Sequence, residues 1–327
     1  MKKTIFLLNL ILFCGLIYSQ ETKDSFQSCD LSIEVEAGKI FGTLLIPNTT
    51  TPVPIALIIS GSGPTDRDGN QTNMKNNSLR YLAEILTKNG IATLRYDKRL
   101  IGQSKTGQSE SEIRFEDYIS DAKKWISTLK KDSRFSKIIV IGHSEGSLIG
   151  MIAAYDSKAD MFISIAGVSK SADQIILEQT KGLPTDLYNE TINVLDSLRN
   201  GKTVSNVNPN LAMLFRPSVQ PYMISWIKFD PSKEIQKLEI PVLIIQGTTD
   251  IQVSVDNARE LASSNNQAEM KVIENMNHIL KISEMDRNKN IATYMNPDLP
   301  ISDDLTKTIT NFINEKIKNG HNTQYSQ

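Results

Sequence analysis

Ile138-Ile139-Val140-Ile141-Gly142-His143-Ser144-Glu145-Gly146-Ser147 is the stretch from which the fold can be read. Four consecutive apolar residues suit a strand buried on both faces. They run directly into Gly-x-Ser-x-Gly, and 147–155 reads as helix. A strand that reverses sharply into a helix holds its apex residue in a strained conformation. Side chains at 142 and 146 would collide with neighbouring elements, and Gly150 lets the helix approach the sheet. The turn presents Ser144 Oγ at the carboxyl end of the strand. It leaves the Glu145 N–H at the helix N-terminus, where it can stabilise an oxyanion.

Strand and helix signals alternate on both sides of this turn. Residues 33–46 read as an antiparallel pair turning near Ala37-Gly38, 55–59 and 91–96 as strands, and 161–165 and 242–245 as two more. Leu79, Leu82, Ile85 and Leu86 recur at helical spacing, with Gly90 placed as a C-cap. Phe115, Tyr118, Ile119, Ala122, Trp125, Ile126 and Leu129 form an amphipathic stripe, and Leu305, Ile309, Phe312, Ile313 and Ile317 a closing helix. The alternation predicts an α/β fold, a mainly parallel sheet with helices on both faces. Residues 169–237 break the rhythm: they show no buried-strand signal, only short helical patterns punctuated by Pro184, Pro209, Pro217, Pro221 and Pro231. An insertion of that size between two sheet strands reads as a helical cap. The expected organisation is a core over 20–168 and 238–320, the cap over 169–237, and a polar tail over 321–327.

Residues 1–19 read as a signal peptide. Lys2 and Lys3 precede an apolar run over 5–17, too short for a membrane span, and Ile17-Tyr18-Ser19 permits cleavage before Gln20. Cys14 follows bulky Phe13, where a lipoprotein signal has a small residue. The expectation is export to the periplasm or beyond, with no stable membrane anchor; an uncleaved anchor is the alternative. The chain has 327 residues, 36 Lys and Arg against 37 Asp and Glu, three His and two Cys. The balanced charge argues against a nucleic-acid partner. The cysteine count excludes a disulfide framework and argues against a Cys-based zinc site. After cleavage Cys29 is the lone thiol.

A serine hydroxyl needs a base. His143 lies inside the turn and His321 in the tail, which leaves His278, just after the strand pattern 270–273. An acid is needed to orient it. Residues 240–250 read as a buried strand ending in a turn and Asp250, so the chain order is Ser144, Asp250, His278. A second oxyanion donor is expected after strand 55–59, in Ser60-Gly61-Ser62-Gly63-Pro64-Thr65-Asp66-Arg67-Asp68-Gly69, with the Ser62 N–H first and Gly63 second. This loop is no dinucleotide fingerprint, because the third glycine position is Asp66. Arg67 reads as a loop-fixing ion pair.

With Tyr96-Asp97-Lys98-Arg99, Gly102-Gln103-Ser104, Gly247, Asp250 and Asn277-His278, these motifs make the chain resemble a bacterial α/β-hydrolase group over about residues 31–318. Its members are esterases or are called serine-aminopeptidase-like. The resemblance implies an α/β-hydrolase fold with a helical cap, and a serine carboxylic-ester hydrolase with catalytic Ser144, Asp250 and His278 and oxyanion amides at Ser62 and Glu145. Leu100 stands where the group has glycine, which questions the local loop shape. The substrate is expected to be a small-molecule ester, with no cofactor and no metal. Leu214 and Trp226 of the cap are expected to bind the acyl group. A peptidase or thioesterase is the alternative. An aminopeptidase would need cap acids around a free α-amine, for which Glu178, Asp186, Glu190 and Asp196 are available. A non-catalytic binding protein is a third reading, against which the intact triad order speaks.

Overall fold

The structure is a computed structural model that describes residues 26–324. The expected signal peptide and its expected cleavage point before Gln20 lie outside these residues. Strands β1 (Phe26–Val35) and β2 (Gly38–Pro47) form the expected hairpin, with Val35 opposite Gly38. Then follow β3 (Val53–Ile59), α1 (Ser78–Lys88), β4 (Ala92–Tyr96), α2 (Phe115–Lys130), β5 (Phe135–His143), α3 (Glu145–Ser157) and β6 (Met161–Ile165). Five helices come next: α4 (Ala172–Thr180), α5 (Thr185–Arg199), α6 (Ala212–Phe215), α7 (Gln220–Trp226) and α8 (Pro231–Gln236). The chain closes with β7 (Val242–Gly247), α9 (Val255–Ser264), β8 (Ala268–Ile273), α10 (Arg287–Thr293) and α11 (Asp303–Gln324). The last helix therefore extends into the stretch expected to be tail, since no proline interrupts it after Asp303.

The sheet order is β1-β2-β4-β3-β5-β6-β7-β8. β2 pairs antiparallel with β1 and β4, and every pairing from β4 to β8 is parallel. The unbroken apolar runs follow from burial on both faces. Ile55, Leu57, Val140 and Ile244 point to the layer containing Trp125 of α2 and Ile149 of α3; Ala56, Ile58, Ile141 and Ile245 point to the layer of α1 and α11. From β3 the chain crosses to β4 on one side and returns to β5 on the other. At such a reversal the loops after β3 and β5 diverge and leave a crevice at the carboxyl ends of the strands.

The segment between β6 and β7 is helical and has a core of its own, built from Ile176, Val194, Leu195, Leu198, Leu211, Phe215 and Met223. It is tied to the body by rings: Phe115 at the start of α2 stacks on Trp226 with centroids 6.0 Å apart, and Tyr222 packs on Tyr118 at 5.5 Å.

Candidate active site

Ser144 caps the N-terminus of α3 at φ 54°, ψ −123°, the strained apex expected of the strand-to-helix turn. A Cβ on Gly146 would meet the Ser60 carbonyl oxygen at 2.6 Å, which is why that position has no side chain. A Cβ on Gly61 would lie 3.1 Å from Ser144 Cβ. The loop after β3 therefore passes directly against Ser144, where an oxyanion loop would have to lie. Ser62 is exposed there, next in the chain.

Asp250 and His278 meet from the loops after β7 and β8. His278 Nδ1 donates to Asp250 Oδ2 at 2.8 Å. Asp250 Oδ1 accepts the N–H groups of Gln252 (2.8 Å) and Val253 (2.9 Å), and Oδ2 accepts from Gln246 Nε2 (2.9 Å). Burial pushes the Asp250 carboxyl up, but His278 and the two amides outweigh it and hold it below its ordinary value. A carboxylate accepts only, so the proton of a neutral His278 sits on Nδ1 and its Nε2 lone pair is available as a base.

His143 has a use that sequence reasoning missed. Its Nε2–H donates to the His278 backbone carbonyl at 2.8 Å, and the two rings lie 4.9 Å apart. Burial, then the nearness of His278, pushes its pKa down to about 4. The ring next to Ser144 in the chain is therefore a neutral brace for His278. Further support comes from Asn290, whose Nδ2 donates to the Thr249 carbonyl at 2.8 Å, and from Asn277, whose Nδ2 donates to Thr293 Oγ1 at 2.8 Å.

The opposite wall of the crevice is built from ion pairs. Lys98 Nζ donates to the Gly61 carbonyl at 2.6 Å and to Glu145 Oε2 at 3.0 Å. Glu145 Oε1 accepts from Tyr222 Oη at 2.7 Å, and the Tyr118 ring centroid lies 5.0 Å from the Lys98 ammonium. Arg67 fixes the loop as expected, though through Asp97 rather than the adjacent acids: its Nη2 donates to Asp97 Oδ2 at 2.7 Å and its backbone N–H to Oδ1 at 2.8 Å. Arg99 grips Asp121 through Nε (2.8 Å) and Nη2 (2.9 Å). Leu100 takes φ 68° and donates its N–H to the Ser104 carbonyl at 2.8 Å. The loop thus keeps the shape that glycine favours, and leucine there costs about 1–2 kcal/mol.

A cavity of about 150 Å³ lies between this wall and the cap, lined among others by Pro64, Ile113, Tyr118, Glu145, Val219 and Tyr222. Leu214 and Trp226, the expected acyl contacts, are not among its lining residues. Leu214 is exposed, and Trp226 packs into the ring cluster around Phe115. The physical reason is that the ring cluster anchoring the cap to the body takes up Trp226, while the cap's own core closes without Leu214 and leaves it to solvent. The four cap acids considered for an α-amine do not line the cavity either. Glu178 pairs with Lys170, Asp196 with Arg199, and Glu190 accepts the Asn208 N–H. The carboxylates that do reach it, Glu110 and Glu145, are held by Arg216 and Lys98.

Comparison with known proteins agrees with this fold. The family model described as serine aminopeptidase, S33 (Hydrolase_4) matches residues 73–212, which include Ser144 and end before Asp250. Esterase EstD of Thermotoga maritima is 29% identical over 81% of this chain, which spans 66% of that relative's length. Among solved structures, Est1E from Butyrivibrio proteoclasticus with ferulic acid bound superposes with a TM-score of 0.63 at 18% identity, covering 88% of this chain and 99% of that one. The Pyrococcus furiosus esterase Pf2001 gives 0.57 at 18% identity, covering 92% and 95%.

Proposed function

We propose that this chain is an α/β hydrolase that cleaves carboxylic esters through an acyl-Ser144 intermediate. The observation that carries the reading is the His278–Asp250 hydrogen bond of 2.8 Å at the same end of the sheet as the Ser144 apex. As Ser144 Oγ attacks the carbonyl carbon, His278 Nε2 takes its proton. The Ser62 and Glu145 N–H groups receive the negative charge that develops on the carbonyl oxygen. His278 then protonates the departing alkoxide, giving the alcohol. It next removes a proton from water, whose oxygen attacks the acyl carbon, and returns that proton to Ser144 as the acid leaves.

The serine-aminopeptidase match supports a peptidase as the second reading. Ester hydrolysis is favoured because the carboxylates that reach the cavity are already paired with Arg216 and Lys98, so a substrate α-amine would have to displace a cation. A panel of p-nitrophenyl esters and aminoacyl-nitroanilides separates the two. Ser144→Ala should lower ester turnover by at least about 10⁴-fold and abolish fluorophosphonate labelling, with the melting temperature nearly unchanged. A variant that kept most of its activity would remove Ser144 from the reaction. Export belongs to the same proposal, and rests on Lys2, Lys3 and the apolar run that follows. Terminal sequencing of the secreted protein should find a start near Gln20; a lipid-modified Cys14 at the terminus would overturn it.

A further inference from the structure

The buried pair Lys98–Glu145 plays no part in proton transfer. Both side chains are 2–3% exposed and their charged atoms are 3.0 Å apart. Taking two charges out of water costs so much that a well-packed apolar pair is often as stable, so stability alone explains this one poorly. What the pair touches is more informative. The Gly61 carbonyl that accepts from Lys98 Nζ at 2.6 Å belongs to the same peptide unit as the Ser62 N–H. The described backbone has no cis peptide bond, so the carbonyl and the N–H of that unit point in opposite directions. A cation holding the carbonyl from one side therefore aims the N–H to the other. Glu145, the second partner of Lys98, supplies the other oxyanion N–H from its own backbone.

We infer that Lys98 is a positioning residue of the oxyanion hole, a single ammonium group that fixes both donor peptides relative to each other. The inference rests on the hydrolase reading above. Two physical effects act together. Donors already aimed at the developing charge need no reorganisation during the reaction. A charge-assisted hydrogen bond on the Gly61 carbonyl also polarises its peptide and strengthens the Ser62 N–H as a donor. The ring of Tyr118 over Lys98 and the Tyr222 hydroxyl on Glu145 enclose the pair, and Tyr222 belongs to the cap, so the cap completes the clamp.

The test compares Lys98→Met with Lys98→Met/Glu145→Met, using p-nitrophenyl acetate and a trifluoromethyl ketone, whose adduct with serine carries an oxyanion. The single variant leaves a buried carboxylate alone; the double variant removes both charges and keeps an apolar filling. Both should lose about 10- to 100-fold in kcat, with KM within about threefold of the parent, because only the charge-bearing state loses its donors. Affinity for the ketone should fall by the same factor as kcat/KM. Recovery of parental kcat in the double variant would overturn the inference, since the harm would then come from the lone carboxylate. So would an unchanged ketone affinity. If the methionine pair does not fold, Lys98→Gln/Glu145→Gln carries the same expectation, as glutamine is too short to reach the Gly61 carbonyl. A parent protein that neither turns over esters nor takes up fluorophosphonate would fail the hydrolase reading itself, whereas an active parent with equally active double variants fails only the clamp.

Discussion

The two walls of the crevice solve the same problem by different physics. On the β7–β8 side, one carboxylate is satisfied by two backbone amides, an amide side chain and a histidine, and the neighbouring His143 is kept neutral. On the β4–α2 side, Arg67, Lys98 and Arg99 are each buried and each matched to a carboxylate at 3.0 Å or less. In the proposed reaction the first wall changes protonation, and its groups are accordingly few, with their tautomers fixed by hydrogen bonds. The second wall has to hold its shape, so each buried cation is paired directly with a carboxylate. The comparison predicts that damage to the first wall acts on proton transfer, and damage to the second on donor geometry.

The largest effect should come from the first wall. Asp250→Asn keeps the shape of the site and reverses the donor logic: the amide can donate to Nδ1, which places the His278 proton on Nε2, facing the nucleophile. A loss of about 10⁴-fold in kcat is expected. Steady-state kinetics on p-nitrophenyl acetate measures it. A loss of less than about tenfold would mean that Asp250 only packs the loop and does not set the tautomer.

The next effect concerns acid stability. His143 has a folded-state pKa of about 4 against its ordinary 6.5. Above pH 6.5 the ring is neutral in both folded and unfolded chains. As pH falls from 6.5 towards 4, the unfolded chain takes up a proton that the folded one refuses, so stability is lost across that window. The loss amounts to on the order of 3 kcal/mol when complete. Asp250, whose carboxyl is held low in the folded state, gives up stability in the same direction on further acidification. His143→Gln retains a donor for the His278 carbonyl and removes the titration. Urea midpoints at pH 7 and pH 4.5 should therefore move less in the variant than in the parent; parallel shifts would show that His143 does not carry the acid sensitivity.

The same asymmetry decides what could be read from sequence. Ser144, Asp250 and His278 stand in motifs because each follows a strand whose apolar pattern is visible, and elimination among three histidines left one base. The central sheet was legible for the same reason, β3, β4, β6 and β7 being buried on both faces. Lys98 and Glu145 are 47 residues apart in the chain. No periodicity connects such a pair, and only the β3–β4 and β3–β5 register brings them together. The motif Tyr96-Asp97-Lys98-Arg99 was visible as a resemblance, but its partners were not. Leu214 and Trp226 lie outside the cavity for a different reason: apolar content does not show which residues go to a core, to a cavity or to solvent.

The smallest expected effect tests that last point on the cap. Val219 begins the approach to α7, lines the cavity and is half-buried, whereas Leu214 on α6 is exposed and lies outside it. An acyl methylene that enters an apolar pocket contributes about 0.8 kcal/mol, close to fourfold in kcat/KM. Val219→Ala widens the cavity by two methyl groups beside Ile113 and Tyr118, so it should shift preference towards longer acyl chains by about that factor per added methylene. Leu214→Ala should leave the profile where it is, because its side chain meets solvent. Ratios of kcat/KM for p-nitrophenyl acetate, butyrate and hexanoate measure both. If Leu214→Ala moved the profile and Val219→Ala did not, the acyl group would be bound under α6, and the cavity between the cap and the charged wall would be a packing defect rather than the specificity pocket.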